Sequence, residues 1–195
     1  LNFCKEVSQI NFKVHGDIKK IRSSKMENDK SVDENLISLI SKIGEKITIR
    51  RSKYFNKEGG KNYFYIHSAV EKNVGKIVSI VKILNNNDNE LGRKIAMHIA
   101  ASSPLAIDEK GIQKDIVDKE LEIIKAELVN SGKKGEIADK ISKGKINKFI
   151  SDNTLMNQIW IMDPKKRVSD ILNENKKKDN IKIVDFVRFK VGEGV

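Results

Sequence analysis

Two runs, NYFYIHSAV at residues 62–70 and GKIVSIVKIL at residues 75–84, decide how this chain is read. In the second, Ile77, Ser79, Val81 and Ile83 alternate with Lys76, Val78, Ile80 and Lys82. A period of two places successive side chains on opposite faces of a strand. Residues 46–54 alternate in the same way, with Ile47 and Ile49 against Lys46, Thr48 and Arg50. The turn signal Asn56-Lys57-Glu58-Gly59-Gly60 follows them. Three strands joined by short turns predict an antiparallel meander packed on the preceding helix.

Upstream of the meander, Leu36, Ile37, Ile40 and Ile43 form one apolar helical face from Asp33 onward, with Gly44 placed to end the helix. Residues 1–10 read as the end of a helix bearing Phe3, Val7 and Ile10, and residues 18–33 as a polar loop. Downstream, Asn85-Asn86-Asn87-Asp88 closes the strand, and a helix over 90–101 stops before Ser102-Ser103-Pro104. Val117, Leu121, Ile124 and Leu128 are spaced 4-3-4, which predicts a helix over 115–130 with a coiled-coil type of seam. A tight turn at 131–135 and a second helix over 136–149, carrying Ile137 and Ile141, complete an antiparallel helical hairpin. Residues 158–162 read as a short strand with Trp160 in the core, Asp163-Pro164 as a helix start, and residues 176–179 (Lys-Lys-Lys-Asp) as a solvated loop. Residues 181–191 form a last strand before Gly192-Glu193-Gly194. Strands and helices are segregated, so the expected class is α+β.

The chain has 195 residues, of which 38% are hydrophobic and 33% charged, so a lean core lies under a large solvated surface. No apolar run approaches 18 residues, which leaves no candidate membrane-spanning helix. The first residue is Leu1 and not Met, and the sequence is read as a fragment. Net charge is +11, which raises nucleic acid as a partner. Of the 38 cations only six are Arg, the residue that forks to phosphate and guanine, so lysine on solvated faces is the favoured account. A nucleic-acid surface would cluster aromatics or Arg with the lysines, whereas Tyr54, Phe55, Tyr63, Phe64 and Tyr65 are read as sheet residues.

Catalytic chemistry finds no support. There is no P-loop, no G-x-G-x-x-G after a strand and no G-x-S-x-G elbow. Gly132 and Gly135 with their lysines belong to a hairpin turn. His15, His67 and His98 lie in unrelated segments, and the single cysteine, Cys4, completes neither a disulfide nor a zinc site. No cofactor or metal is expected. His98 shares a helical face with Leu91 and Ile95, the setting of a partly buried histidine bonded to backbone. Asn73-Val74-Gly75 reads as turn chemistry at a strand entrance.

The stretch KIAMHIAASSP at residues 94–104 closely resembles the signature of the translation elongation factor Ts family. IGEKITIRR at 43–51 is similar to that family's helix-to-strand junction, residues 131–149 to its helical hairpin, and FVRFKVGEG at 186–194 to its last core strand. The four segments stand in the family's order and together cover nearly the whole chain. The resemblance implies a guanine-nucleotide exchange factor for elongation factor Tu, not an enzyme, acting in translation elongation in a bacterial cytoplasm, an organelle being the other possible compartment. It implies two small α+β subdomains with antiparallel sheets, over 1–88 and over 89–114 with 153–195, interrupted by a protruding coiled coil at 115–152. It also implies dimerisation through this core in some members.

By the same resemblance, Val74 and Gly75 fall on an Ile-Gly contact with Tu, and His98 on a histidine that touches the same partner. The resemblance further places the family's Thr-Asp-Phe-Val wedge and its N-terminal domain upstream of Leu1, and a C-terminal helix after Val195. The expectation is an isolated core, or dimerisation region, that binds Tu weakly and accelerates GDP release poorly. The competing expectations are a basic RNA- or ribosome-binding module and a purely structural dimeric core. Neither direct nucleic-acid binding nor membrane association is expected of the exchange factor.

Overall fold

A computed structural model of the chain describes residues 1–176 and 180–193. Residues 177–179 of the run expected as a solvated loop, and Gly194 of the closing glycine pair, lie outside the described residues. The chain divides into two compact units, Leu1–Glu58 with Ser68–Lys76, and Gly59–His67 with Ile77–Val195. Across them the described residues hold seven α-helices and one three-stranded antiparallel sheet, an α+β fold.

The first unit contains α1 (Asn2–Lys13), α2 (Ile18–Ser23) and α3 (Val32–Ile43). Helix α1 ends where His15 and Gly16 adopt left-handed backbone, φ 53° and 83°. The expected loop over 18–33 is corrected here, because it contains α2. The Asp17 carboxylate accepts the Lys19 and Lys20 N–H groups, and that cap starts a helix too short for periodicity to show. Its one buried residue, Ile21, joins Ile10, Met26 and Val32 in a small core. Helix α3 opens with a reciprocal capping box between Ser31 and Glu34 and closes on left-handed Gly44, φ 80°. Its buried face runs through Val32 and Leu36, while Ile37 and Ile43 are exposed, so the apolar stripe is rotated from the one expected.

Residues 46–54 form no strand. The alternation of Ile47 and Ile49 reports burial correctly, since both are half-buried and Ile49 packs on the small core. What holds this segment is side-chain bonding in place of a ladder. Asn11 Nδ2 donates to the Lys53 carbonyl at 3.2 Å, Ser52 Oγ donates to the Gly16 carbonyl, and Tyr54 packs between Phe12 and His15.

The sheet has the order β1 (Lys61–Glu71), β2 (Val74–Leu84), β3 (Lys182–Lys190). Its third strand is therefore the C-terminal one and not residues 46–54, which corrects the local meander. In the second unit β2 and β3 pair antiparallel, with Val81 opposite Phe186 and Ser79 opposite Arg188, and the register slips by one residue at Lys82/Ile83. Helix α4 (Asn89–Ser102), capped by Asp88, packs on this sheet. Leu91, Ile95 and Ile99 meet Tyr63, Val81 and Ile83 in the main core. Ser79 Oγ donates to the Ala96 carbonyl at 2.6 Å, and Arg188 Nε donates to the Ala100 carbonyl at 3.0 Å, tying both strands to the helix.

Helices α5 (Lys114–Asn130) and α6 (Gly135–Asn153) pack against one another across a four-residue turn. Ile124 and Leu128 of α5 are buried at their seam, as is Ser142 of α6, while Ile137 is 67% exposed and not part of it. Residues 158–162 make a single bridge, Ile159 to Arg167, and not a strand. Helix α7 (Val168–Lys176) starts at Val168 and not at Asp163-Pro164. Asp163 caps the local turn through the Lys165 N–H, and the helix is opened instead by the Asp170 carboxylate accepting the Arg167 N–H at 2.8 Å.

Candidate functional site

His98 is the residue around which the second unit organises a surface feature. Its apolar neighbours on α4 put it on the core side of that helix, where it has no exposed area. Two nitrogens must then be satisfied inside the protein. The Ile161 N–H donates to Nδ1 at 3.4 Å, and Nε2 lies 3.1 Å from Gln158 Oε1. Gln158 Nε2 donates to the carbonyls of Ser102 and Asp152, at 3.1 and 2.8 Å, so its Oε1 is left as acceptor. The consistent assignment is a neutral imidazole with its proton on Nε2. The ring stacks on Trp160 at 5.2 Å and 23°.

Burial pulls the His98 pKa below the ordinary histidine value, and the Gln158 hydrogen bond opposes this in part. The folded pKa lies below the unfolded one, so between the two the unfolded chain binds a proton that the folded chain does not. Stability is therefore complete above the unfolded value, about 6.5, and falls as pH drops from there through the folded pKa. Urea midpoints at pH 7.5 and pH 5.0 check this. The wild-type midpoint is expected to fall by more than that of His98→Gln, which is less stable overall; equal falls would show that His98 does not contribute.

The same bonds fix the orientation of residues 158–162. The Trp160 N–H donates to the Lys166 carbonyl at 2.8 Å, and the Val168 N–H to the Gln158 carbonyl at 3.1 Å. Gln158 and Trp160 turn inward, 7% and 4% exposed. Ile159, Ile161 and Met162 are left outward at 61%, 42% and 37%. Three large apolar side chains within four residues, on backbone pinned from beneath, form a rigid lip of the kind that marks a protein contact. A cleft of about 320 Å³ opens beside it, lined by Ser102, Ser151, Asp152, Asn157, Gln158 and Arg167 along with Ile159.

Sequence reasoning singled out His98 but not this lip. Its signal was present in the in-out alternation around Trp160, which the strand assignment absorbed. Val74 and Gly75 belong to the first unit and His98 to the second. Val74 and Gly75 open β2, both half-buried. The turn before them is Lys72-Asn73, with Asn73 in the left-handed region at φ 65°, so the turn chemistry falls to Asn73 and Gly75 is already strand. Among the described residues, no group of three or more His, Cys, Asp or Glu could hold a metal ion, and no helix is long and apolar enough to cross a membrane.

Residues 1–193 match the sequence model of the family described as Elongation factor TS. The curated relatives include proteins named Elongation factor Ts from Gluconobacter oxydans (strain 621H), 32% identical over 99% of this chain and 64% of its own length, and from Methylococcus capsulatus (strain ATCC 33009 / NCIMB 11132 / Bath), 36% over 91% and 57%. One from Acinetobacter baylyi (strain ATCC 33305 / BD413 / ADP1) is 37% identical over 92% and 57%. The chain thus spans 57–64% of the length of these relatives.

Proposed function

Because this chain belongs to the elongation factor Ts family, we propose that it carries the core of a guanine-nucleotide exchange factor that promotes GDP release from elongation factor Tu. The observation that carries this is the apolar lip of Ile159, Ile161 and Met162, held rigid by the buried His98–Gln158–Trp160 arrangement. A factor accelerates GDP release only if it binds nucleotide-free Tu more tightly than GDP-bound Tu, and the coupling is reciprocal. A surface that discriminates between two shapes of a partner must not yield to either, and a backbone fixed from beneath meets that requirement.

In this assignment His98 is a positioning residue that acts through the Ile161 backbone, and Val74 and Gly75 at the start of β2 supply a separate contact. Exchange needs no catalytic residue or cofactor of this chain, because it is a displacement of binding equilibria. The α5–α6 pair is the family's protruding coiled coil, inserted between two subdomains, and the cytoplasm is its compartment. Self-association through the core is supported by the exposure of Phe64 and Val184 on the sheet, 57% and 43%.

Release of a fluorescent GDP from Tu, followed with and without excess chain, tests the assignment. Weak acceleration is expected, reduced further when Val74 and Gly75 are replaced together by Lys and Glu. An unchanged release rate at saturating chain would refute it.

A further inference from the structure

We propose that the turn of the helical hairpin and the outer face of α6 form a contact surface for the phosphate backbone of RNA. The choice of RNA as the polyanion rests on the translational assignment above; the charge pattern does not depend on it. Charge is sorted between the two helices. Helix α5 carries five acidic residues and three lysines, whereas residues 131–153 carry six lysines and three acidic residues. Codon bias alone would scatter lysine over both.

The geometry sorts the lysines further. Lys145 reaches back to Glu127 at 2.7 Å and belongs to the seam. Lys140, Lys143 and Lys148 lie within about 140° of the helix circumference at 3.6 residues per turn, opposite buried Ser142. All three are exposed, as are Lys133 and Lys134 in the turn, and the three make no ion pair among the described residues. Glu136 is the acidic residue within this arc. From Lys140 to Lys148 the helix rises about 12 Å, the length of several phosphates along one strand. Lysine meets phosphate as a point charge on a flexible stem, and no arginine or aromatic ring stands on this face to read bases. The surface therefore binds charge and not sequence.

The test uses a fluorescent single-stranded poly(U) oligonucleotide titrated with the chain at several salt concentrations, and GDP release from Tu measured on the same samples. Lys140→Gln/Lys143→Gln/Lys148→Gln keeps good helix formers in place, so folding is preserved and is checked by circular dichroism. Its affinity for poly(U) is expected to fall roughly ten- to hundredfold at 0.1 M salt, with the salt slope flattened by about 2 units. The same three positions as Arg are expected to keep binding, and DNA of equal length to bind within a few-fold, since backbone charge is what is recognised. GDP release is expected to be unchanged by the glutamine substitutions. Equal affinity of the glutamine variant and the wild type would overturn the proposal, and poly-L-glutamate bound as tightly as poly(U) would reassign the face to an acidic protein. Either result with GDP release intact would leave the exchange assignment standing.

Discussion

Gly92→Ala is expected to lower the stability of this chain by about 3 kcal/mol, more than its single added carbon suggests. A Cβ built on Gly92 would sit 2.3 Å from two atoms of the Tyr63 ring and 2.5 Å from a third. Helix α4 approaches β1 this closely only because no side chain intervenes. Tyr63 cannot swing away at low cost. Its ring is part of the main core, and its hydroxyl donates to the Asn86 carbonyl at 2.8 Å in a buried site. Forcing the ring aside combines overpacking with the loss of a buried hydrogen bond. The gain in helix propensity, about 1 kcal/mol, offsets only part. A domain of this size should lose about 6–12 °C in Tm. Gly144→Ala on α6 is the contrast, since nothing lies within 4 Å of its Cβ position, and it should raise stability by up to about 1 kcal/mol. Thermal melts of both variants check the pair; a Gly92→Ala protein as stable as wild type would mean that the helix and strand are not packed as described.

Ile161→Lys is expected to weaken binding to elongation factor Tu at least tenfold while changing stability by less than about 1 kcal/mol. Ile161 is 42% exposed and contributes its backbone N–H, not its side chain, to the His98 arrangement. Replacing the side chain therefore leaves the support intact and alters only what a partner meets. Burying an isoleucine in an interface contributes about 1.5–3 kcal/mol, and a lysine in its place must be desolvated or displaced. His98→Ala should behave differently. It leaves Gln158 Oε1 and the Ile161 N–H without their partner in a buried site, so stability and Tu affinity should fall together. Urea melts paired with Tu titrations of both variants separate the two roles. Wild-type affinity for Ile161→Lys would remove the lip from the interface.

The elements that sequence made legible are those whose signals are local. The alternation at 75–84, the 4-3-4 spacing from Val117 to Leu128 and the Gly44 cap each report on a few neighbouring residues, and each corresponds to an observed element. Partner choice was not legible. Ile47 and Ile49 alternate as a strand would, yet the third strand of the sheet is Lys182–Lys190, some hundred residues on from β2. Nothing local distinguishes an alternating segment with a ladder from one held by Asn11 and Ser52. Helix α2 was missed because six residues with one buried side chain carry no periodicity. Asp163-Pro164 matches a helix start and instead makes a turn, because the helix is opened four residues later, where Asp170 in the first turn of α7 accepts the Arg167 N–H. At the candidate site, His98 was visible as a residue, but Gln158, which sets its tautomer, stands 60 positions away. The exposure of Ile159 and Ile161 depends on that pairing and could not be read before it.

The most direct test of the exchange assignment is to titrate this chain into elongation factor Tu in two states, free of nucleotide and loaded with GDP. An exchange factor core is expected to bind the nucleotide-free state at least tenfold more tightly, a difference of about 1.4 kcal/mol, and GDP must weaken its binding by the same factor. Equal affinity for the two states would contradict the account, because a ligand that does not distinguish them cannot shift the equilibrium between them.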